Sequence, residues 1–132
     1  MNKSILLAIC ILLSSASLFA KKKVALYGVA FYNLENLFDT ERNEEINDEE
    51  FTPSGANNWT TAKYWKKQNN LAYVIDKLAK HYCPTGIAIL GVAEIENRKV
   101  LEDLVGTDLL KKSNYQIVHY DSPDKRGIDV GL

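Results

Sequence analysis

An α/β fold is predicted by three features of the sequence. Two nearly continuous runs of β-forming apolar residues, Val24–Tyr32 and Ile87–Ala93, have the composition of strands buried on both faces. Between them lies a stretch whose apolar residues recur at helical spacing. Beyond the second run, helix-like and strand-like segments keep alternating, the pattern of α/β layers rather than of segregated helices and sheets.

The first twenty residues read as an address rather than as part of the fold. Lys3 supplies a positive start, Ile5 to Leu13 is an unbroken apolar run, and Ser14 to Ser17 lead to a cleavage point after Ala20, just before Lys21-Lys22-Lys23. A buried N-terminal helix is the competing reading. The run is too short to remain in a bilayer, and bulky Ile9 ahead of Cys10 argues against a lipoprotein signal. The expected organisation is a signal peptide over residues 1–20 and one partial domain over 21–132. The mature protein is then exported, periplasmic or secreted, with no stable membrane anchor after cleavage. It keeps only Cys83, so no intrachain disulfide can form.

Each element has a local reason. The first strand, Val24–Tyr32, stops at the polar word Asn33-Leu34-Glu35-Asn36. Asp39 to Asn58 carries seven carboxylates with Pro53 and Gly55, and reads as a loop. A helix is expected over Thr61–Tyr82: Leu71, Ile75, Leu78 and Tyr82 form one stripe, Thr60 or Thr61 caps the start, and Pro84-Thr85-Gly86 closes it. The second strand, Ile87–Ala93, ends at Glu94-Ile95-Glu96. Asn97 caps a short helix that buries Val100, Leu101, Leu104 and Val105 and stops at Gly106. Tyr115–Tyr120 reads as a third strand, Asp121–Gly127 as a turn, and Ile128–Leu132 as a fourth strand still under way. The chain is therefore expected to be truncated within a strand.

Composition narrows the function classes. With 46% apolar and 25% charged residues, the chain is neither a disordered polyelectrolyte nor a collagen. Its 16 Lys+Arg against 17 Asp+Glu argue against a protein whose main affinity comes from a basic surface gripping phosphates.

Asn33 and Glu94 are the candidate site residues, because each stands at the C-terminal end of a predicted buried strand, where open α/β sheets gather reactive groups. A carboxylate there can bind a hard divalent cation through oxygen, and an amide can hold phosphate or water beside it. Taken alone, a solvated rim Glu and a turn-forming Asn are the commoner explanation of both positions.

The surrounding words add to that reading. FYNLENLFDT (Phe31–Thr40), DEEFTPSGANNWT (Asp48–Thr60), YWKKQNNLAYVI (Tyr64–Ile75), GVAEIENRKVLEDL (Gly91–Leu104) and RGIDVGL (Arg126–Leu132) occur in this order. Together they resemble the endonuclease/exonuclease/phosphatase superfamily with its DNase-like fold, in particular an exported bacterial branch. The resemblance spans essentially the whole mature chain. It implies the N-terminal part of a four-layer α/β sandwich and a hydrolase of phosphodiesters or phosphomonoesters that uses Mg²⁺, or Mn²⁺ or Ca²⁺ in its place. It further implies that Glu94 is the metal-binding Glu and that Asn33 orders metal and phosphate. The Asp-x-Asn segment and the late Asp-His pair that such enzymes use to activate water have no counterpart here. The expected function is thus an N-terminal fragment of an exported metal-dependent phosphoesterase, inactive alone, whose substrate is a phosphoester and in the nuclease reading a nucleic acid.

Neighbouring residues are weighed on the same terms. Glu35 and Glu96, two positions beyond the candidates, are either supporting groups around the site or solvated turn carboxylates. Arg126, in a charged turn with Asp124 and Asp129, is either a contact to substrate phosphate or half of an ordinary turn ion pair. His81 and His119 read as surface and strand residues. Trp59, Tyr64 and Trp65 beside several lysines suit stacking on a nucleic acid strand, or anchorage of the helix start on the sheet. A non-enzymatic alternative lies in the acidic loop 39–50. There Asp39, Glu41, Asn43, Glu45, Asn47 and Glu50 fall at positions 1, 3, 5, 7, 9 and 12 of a calcium loop, although Glu44 stands where that loop needs Gly.

Overall fold

The computed structural model describes residues 24–132. The leader expected over residues 1–20 lies outside them, and the rest forms mixed α/β architecture. Strand β1 (Gly28–Leu37) is followed by helix α1 (Thr61–Lys77), strand β2 (Ile87–Ile95), helix α2 (Arg98–Val105) and the short strand β3 (Asp129–Gly131). The sheet order is β1-β2-β3, with β1 and β2 parallel and β3 antiparallel to β2. A parallel pair cannot be closed by a hairpin, so α1 serves as the crossover. This is the architecture of a partial α/β domain.

One face of the sheet carries the core. Leu34, Leu37, Val92 and Ile95 pack with Tyr64, Leu71, Ala72 and Ile75 of α1 and with Val100, Leu101 and Leu104 of α2. Both helices start as their sequences predict, with the Thr60 side chain accepting from the Lys63 amide and Asn97 from the Val100 amide. Two helix-borne side chains seal the seam between α1 and α2. The Tyr64 hydroxyl donates to Asp103 at 2.6 Å, and the buried Gln68 amide donates to Tyr64 Oη at 2.8 Å and to the Val100 carbonyl at 3.0 Å. At Gly131 an added Cβ would come within 2.8 Å of the Leu101 Cδ1 methyl, which would have to shift, so glycine suits the close approach of α2 to β3.

Several boundaries depart from expectation. Strand β1 begins four residues late and continues through Asn33–Leu37, because β2 pairs with it as far as Leu37 opposite Ile95. Only one of its faces is covered: Val29 and Phe31 are exposed, as are Ile89 and Val130 on the same side. Helix α1 stops at Lys77, where the Leu78 amide turns back onto the Val74 and Ile75 carbonyls and Ala79 enters the left-handed region at φ 59°. Tyr82, at the end of the expected stripe, is exposed and meets no core partner. Tyr115–Tyr120 is extended but forms no strand of the sheet. Its link is a bridge from His119 to Gly131, with hydrogen bonds between Val118 and Leu132. The acidic loop is less solvated than its composition suggests. Asp48 is buried, paired with Arg42 and accepting from the Asn43 amide at 2.8 Å, while Phe51 stacks on Phe38.

Candidate cation site at the strand ends

Parallel pairing places the C-terminal ends of β1 and β2 at the same edge of the sheet, opposite one another at Asn33 and Ala93. That register brings the two candidates into contact. Asn33 Nδ2 donates to Glu94 Oε1 at 2.8 Å, and the Asn36 amide donates to Glu94 Oε2 at 3.2 Å, so both carboxylate oxygens are oriented. The Asn33 side-chain oxygen is held in turn by the Glu35 amide at 2.7 Å.

This edge is built from strained backbone. Glu35, Asn36 and Glu94 have φ values of 55°, 57° and 58°, in the left-handed region where a side chain costs about 1–2 kcal/mol relative to glycine. The register shift between Asn33 and Leu37 is the same feature seen in the pairing. It turns the Asn36 N–H toward the carboxylate, which a regular strand would not do.

Lys67, which is not among the sequence's candidate site residues, joins the edge from α1. Its ammonium donates to the Glu35 carbonyl and, at 3.2 Å, to the Asn36 carbonyl. Burial pulls its pKa below the usual lysine value, and the nearby Glu35 and Glu94 charges oppose that shift. A signal for it exists in the sequence: the Leu71/Ile75 stripe, taken back by one four-residue step, lands on Lys67. Trp59 is half-buried, with its indole N–H donating to the Phe38 carbonyl at 3.0 Å and Lys67 lying over its ring. Trp59 is thereby engaged as an anchor of the helix start.

The other named residues fall in different places. Glu96 is buried on the inner side, accepting from the Asp39 amide at 2.8 Å, away from the Glu94 carboxylate's own partners. Burial drives its pKa up to about 7, with Asp39, Asp48 and Glu41 adding to the rise and the Asp39 N–H opposing it. Glu35 is exposed and contributes its backbone to the Lys67 and Asn33 bonds. Arg126 forms the ion pair with Asp124, through Nη2 to Oδ2 at 2.6 Å and Nε at 3.1 Å from both oxygens. Its pKa is raised, mainly by Asp124, and the field of Glu94 reaches it as a smaller contribution. The loop carboxylates do not converge as a calcium loop requires, since Asp39 accepts from the Glu41 amide and from Asn97.

Among the described residues, His119, Asp121 and Asp129 bring one potential ligand atom each within 4.8 Å of one another. His119 is no plain strand residue: its Nε2 meets Asp129 Oδ2 at 3.0 Å, and Asp129 Oδ1 accepts from the Ser122 amide at 3.0 Å. The His119 and Asp129 side chains are only 3% and 6% exposed, which makes the pair a tie between the 118–122 segment and β3. A cavity of about 930 Å³ is lined by the first half of β2 and by Tyr115–Val118 among others, and neither Asn33 nor Glu94 lines it.

The profile described as the endonuclease/exonuclease/phosphatase family matches residues 28–132, from the first residue of β1 onward. The chain belongs to the endonuclease/exonuclease/phosphatase family. No curated protein and no solved structure matches it. Members of the endonuclease/exonuclease/phosphatase family are hydrolases of phosphoester or nucleic acid substrates and in general depend on divalent metal. The donor chemistry at the strand ends fits such an ion. Glu94 presents hard carboxylate oxygens at an open edge, the kind of donor by which Mg²⁺ is held while it keeps several waters. Among the described residues no helix is long and apolar enough to cross a membrane.

Proposed function

We propose that this chain carries the cation-holding portion of an exported phosphoesterase that cleaves phosphodiesters with Mg²⁺ or a similar ion. Glu94 is the ligand. Asn33 orients it, with its NH₂ group on one carboxylate oxygen while the Asn36 amide fixes the other. The single observation that carries this reading is the 2.8 Å contact between Asn33 and Glu94, side chains 61 positions apart in sequence. When bound, a divalent cation supplies charge that stabilises the phosphoryl oxygens and the leaving group. The chain's own part is to hold the carboxylate aimed at the strand-end edge, so that less reorganisation is needed when substrate arrives. Export rests on the leader expected over residues 1–20.

The reading is tested by Mn²⁺ titration of the purified chain followed by electron paramagnetic resonance, with Glu94→Gln as the comparison. The expected result is one site, weakened at least about tenfold by the substitution. Equal binding by both proteins would remove Glu94 from the site. On its own the chain is expected to bind the ion without hydrolysing a phosphodiester, and Mg²⁺-dependent cleavage by the purified chain would contradict that part.

A further inference from the structure

Neither oxygen of the Glu94 carboxylate is aimed by a rigid strand. One depends on the Asn33 amide, which is itself held by the Glu35 N–H, and the other on the Asn36 N–H. Both amides belong to a pair of consecutive residues in the left-handed region, a conformation that persists only when its surroundings impose it. The carbonyls of this pair face α1, where a single group meets both of them: the ammonium of Lys67. The ammonium also lies over the Trp59 ring, 5.7 Å from its centroid, and Trp59 is tied to the Phe38 carbonyl one residue beyond β1.

From this geometry we infer that Lys67 is a positioning residue for the cation site. It clamps the Glu35 and Asn36 carbonyls and so keeps the Asn33 amide and the Asn36 N–H directed at Glu94. The inference rests on the reading of Glu94 as a cation ligand. Two effects of Lys67 on a bound cation oppose each other. Its positive charge, near enough to Glu94 for their fields to interact, repels a cation and would weaken binding. Its clamp preorganises the ligand and strengthens binding, as partners behind a metal ligand do. The clamp outweighs the repulsion, because the ammonium is already engaged by the Glu35 and Asn36 carbonyl oxygens, and these hydrogen bonds fix backbone that would otherwise relax.

The sign of one substitution therefore decides the matter. Lys67→Met keeps an unbranched apolar side chain of similar length and removes both the charge and the two hydrogen bonds. Mn²⁺ binding by Lys67→Met is expected to weaken about tenfold, within the range seen when a group behind a ligand is lost. Lys67→Arg, which still donates to two carbonyls, is expected to stay within about threefold of the parent chain. Unchanged or tighter binding by Lys67→Met would overturn the inference while leaving the Glu94 assignment intact, provided Glu94→Gln still weakens binding at least about tenfold. Equal binding by Glu94→Gln and the parent chain would instead overturn the assignment, and the inference with it. If Lys67→Met does not fold, the parent chain carries the test through the ¹³Cε resonances of its lysines during Mg²⁺ titration. Because coupling between two groups is reciprocal, the Lys67 signal must shift with saturation of the site. A Lys67 signal that stays fixed overturns the inference.

Discussion

The two faces of the sheet have been given the same kind of residue and put to different use. On the face toward α1 and α2, Leu34, Leu37, Val92 and Ile95 are sealed. On the other, Val29, Phe31, Ile89 and Val130 stand open, and the Phe31 ring lies across Gly91, where a Cβ would come within 2.7 Å of it. The comparison teaches that apolar composition reports what a strand is able to bury, whereas burial itself depends on which neighbours supply cover. Stability should therefore reside almost entirely on the helical side.

Substitutions on the two faces are the sharpest way to break that contrast. Leu34→Ala, which empties a fully buried position, is expected to cost about 2–5 kcal/mol in urea denaturation. A loss below about 1 kcal/mol would mean that this core tolerates collapse and that the helical side does not dominate. The next effect lies in the layer below the loop. Glu96 is held protonated up to about pH 7 in the fold, against an ordinary value of 4.5. Between those values the folded chain keeps a proton that the unfolded chain has released, so stability is fully present below the lower value and falls as pH rises through the higher one. The loss between pH 4.5 and 7 should be about 2–3 kcal/mol in cation-free buffer, and Glu96→Gln should remove it. A slope that survives in Glu96→Gln would place its origin elsewhere.

Tyr64→Phe deletes the hydroxyl between Asp103 and Gln68 and is expected to cost about 1–2 kcal/mol, again by denaturation. The smallest effect belongs to the open face, where Phe31→Thr should change stability by less than about 0.5 kcal/mol and improve solubility. A cost approaching that of Leu34→Ala would show that the open face is in fact covered in solution.

Much of this layout was legible in the sequence, and the misses have physical causes. The α/β alternation, the start of each helix and the meeting of Asn33 with Glu94 follow from apolar runs, capping residues and the rule for parallel strand ends. The end of β1 was hidden because Asn33-Leu34-Glu35-Asn36 has the composition of a turn, yet it remains paired to β2 across an irregular register. Helix α1 was read past Lys77 because periodicity registers Leu78 and Tyr82 without knowing whether anything lies opposite them. Lys67 was missed for the converse reason, since a charged residue on an apolar stripe is taken for solvent until its partners, two backbone carbonyls, are seen. Partnerships between distant polar groups, such as His119 with Asp129, leave no periodic trace at all.

The left-handed backbone at Glu94 sets two demands against each other. Glycine would adopt that conformation without penalty, so Glu94→Gly is expected to gain in melting temperature what it forfeits in affinity for the ion. A screen that rewards heat resistance alone would drift toward glycine at this position, and retention of the carboxylate would then be a mark of purifying pressure from chemistry.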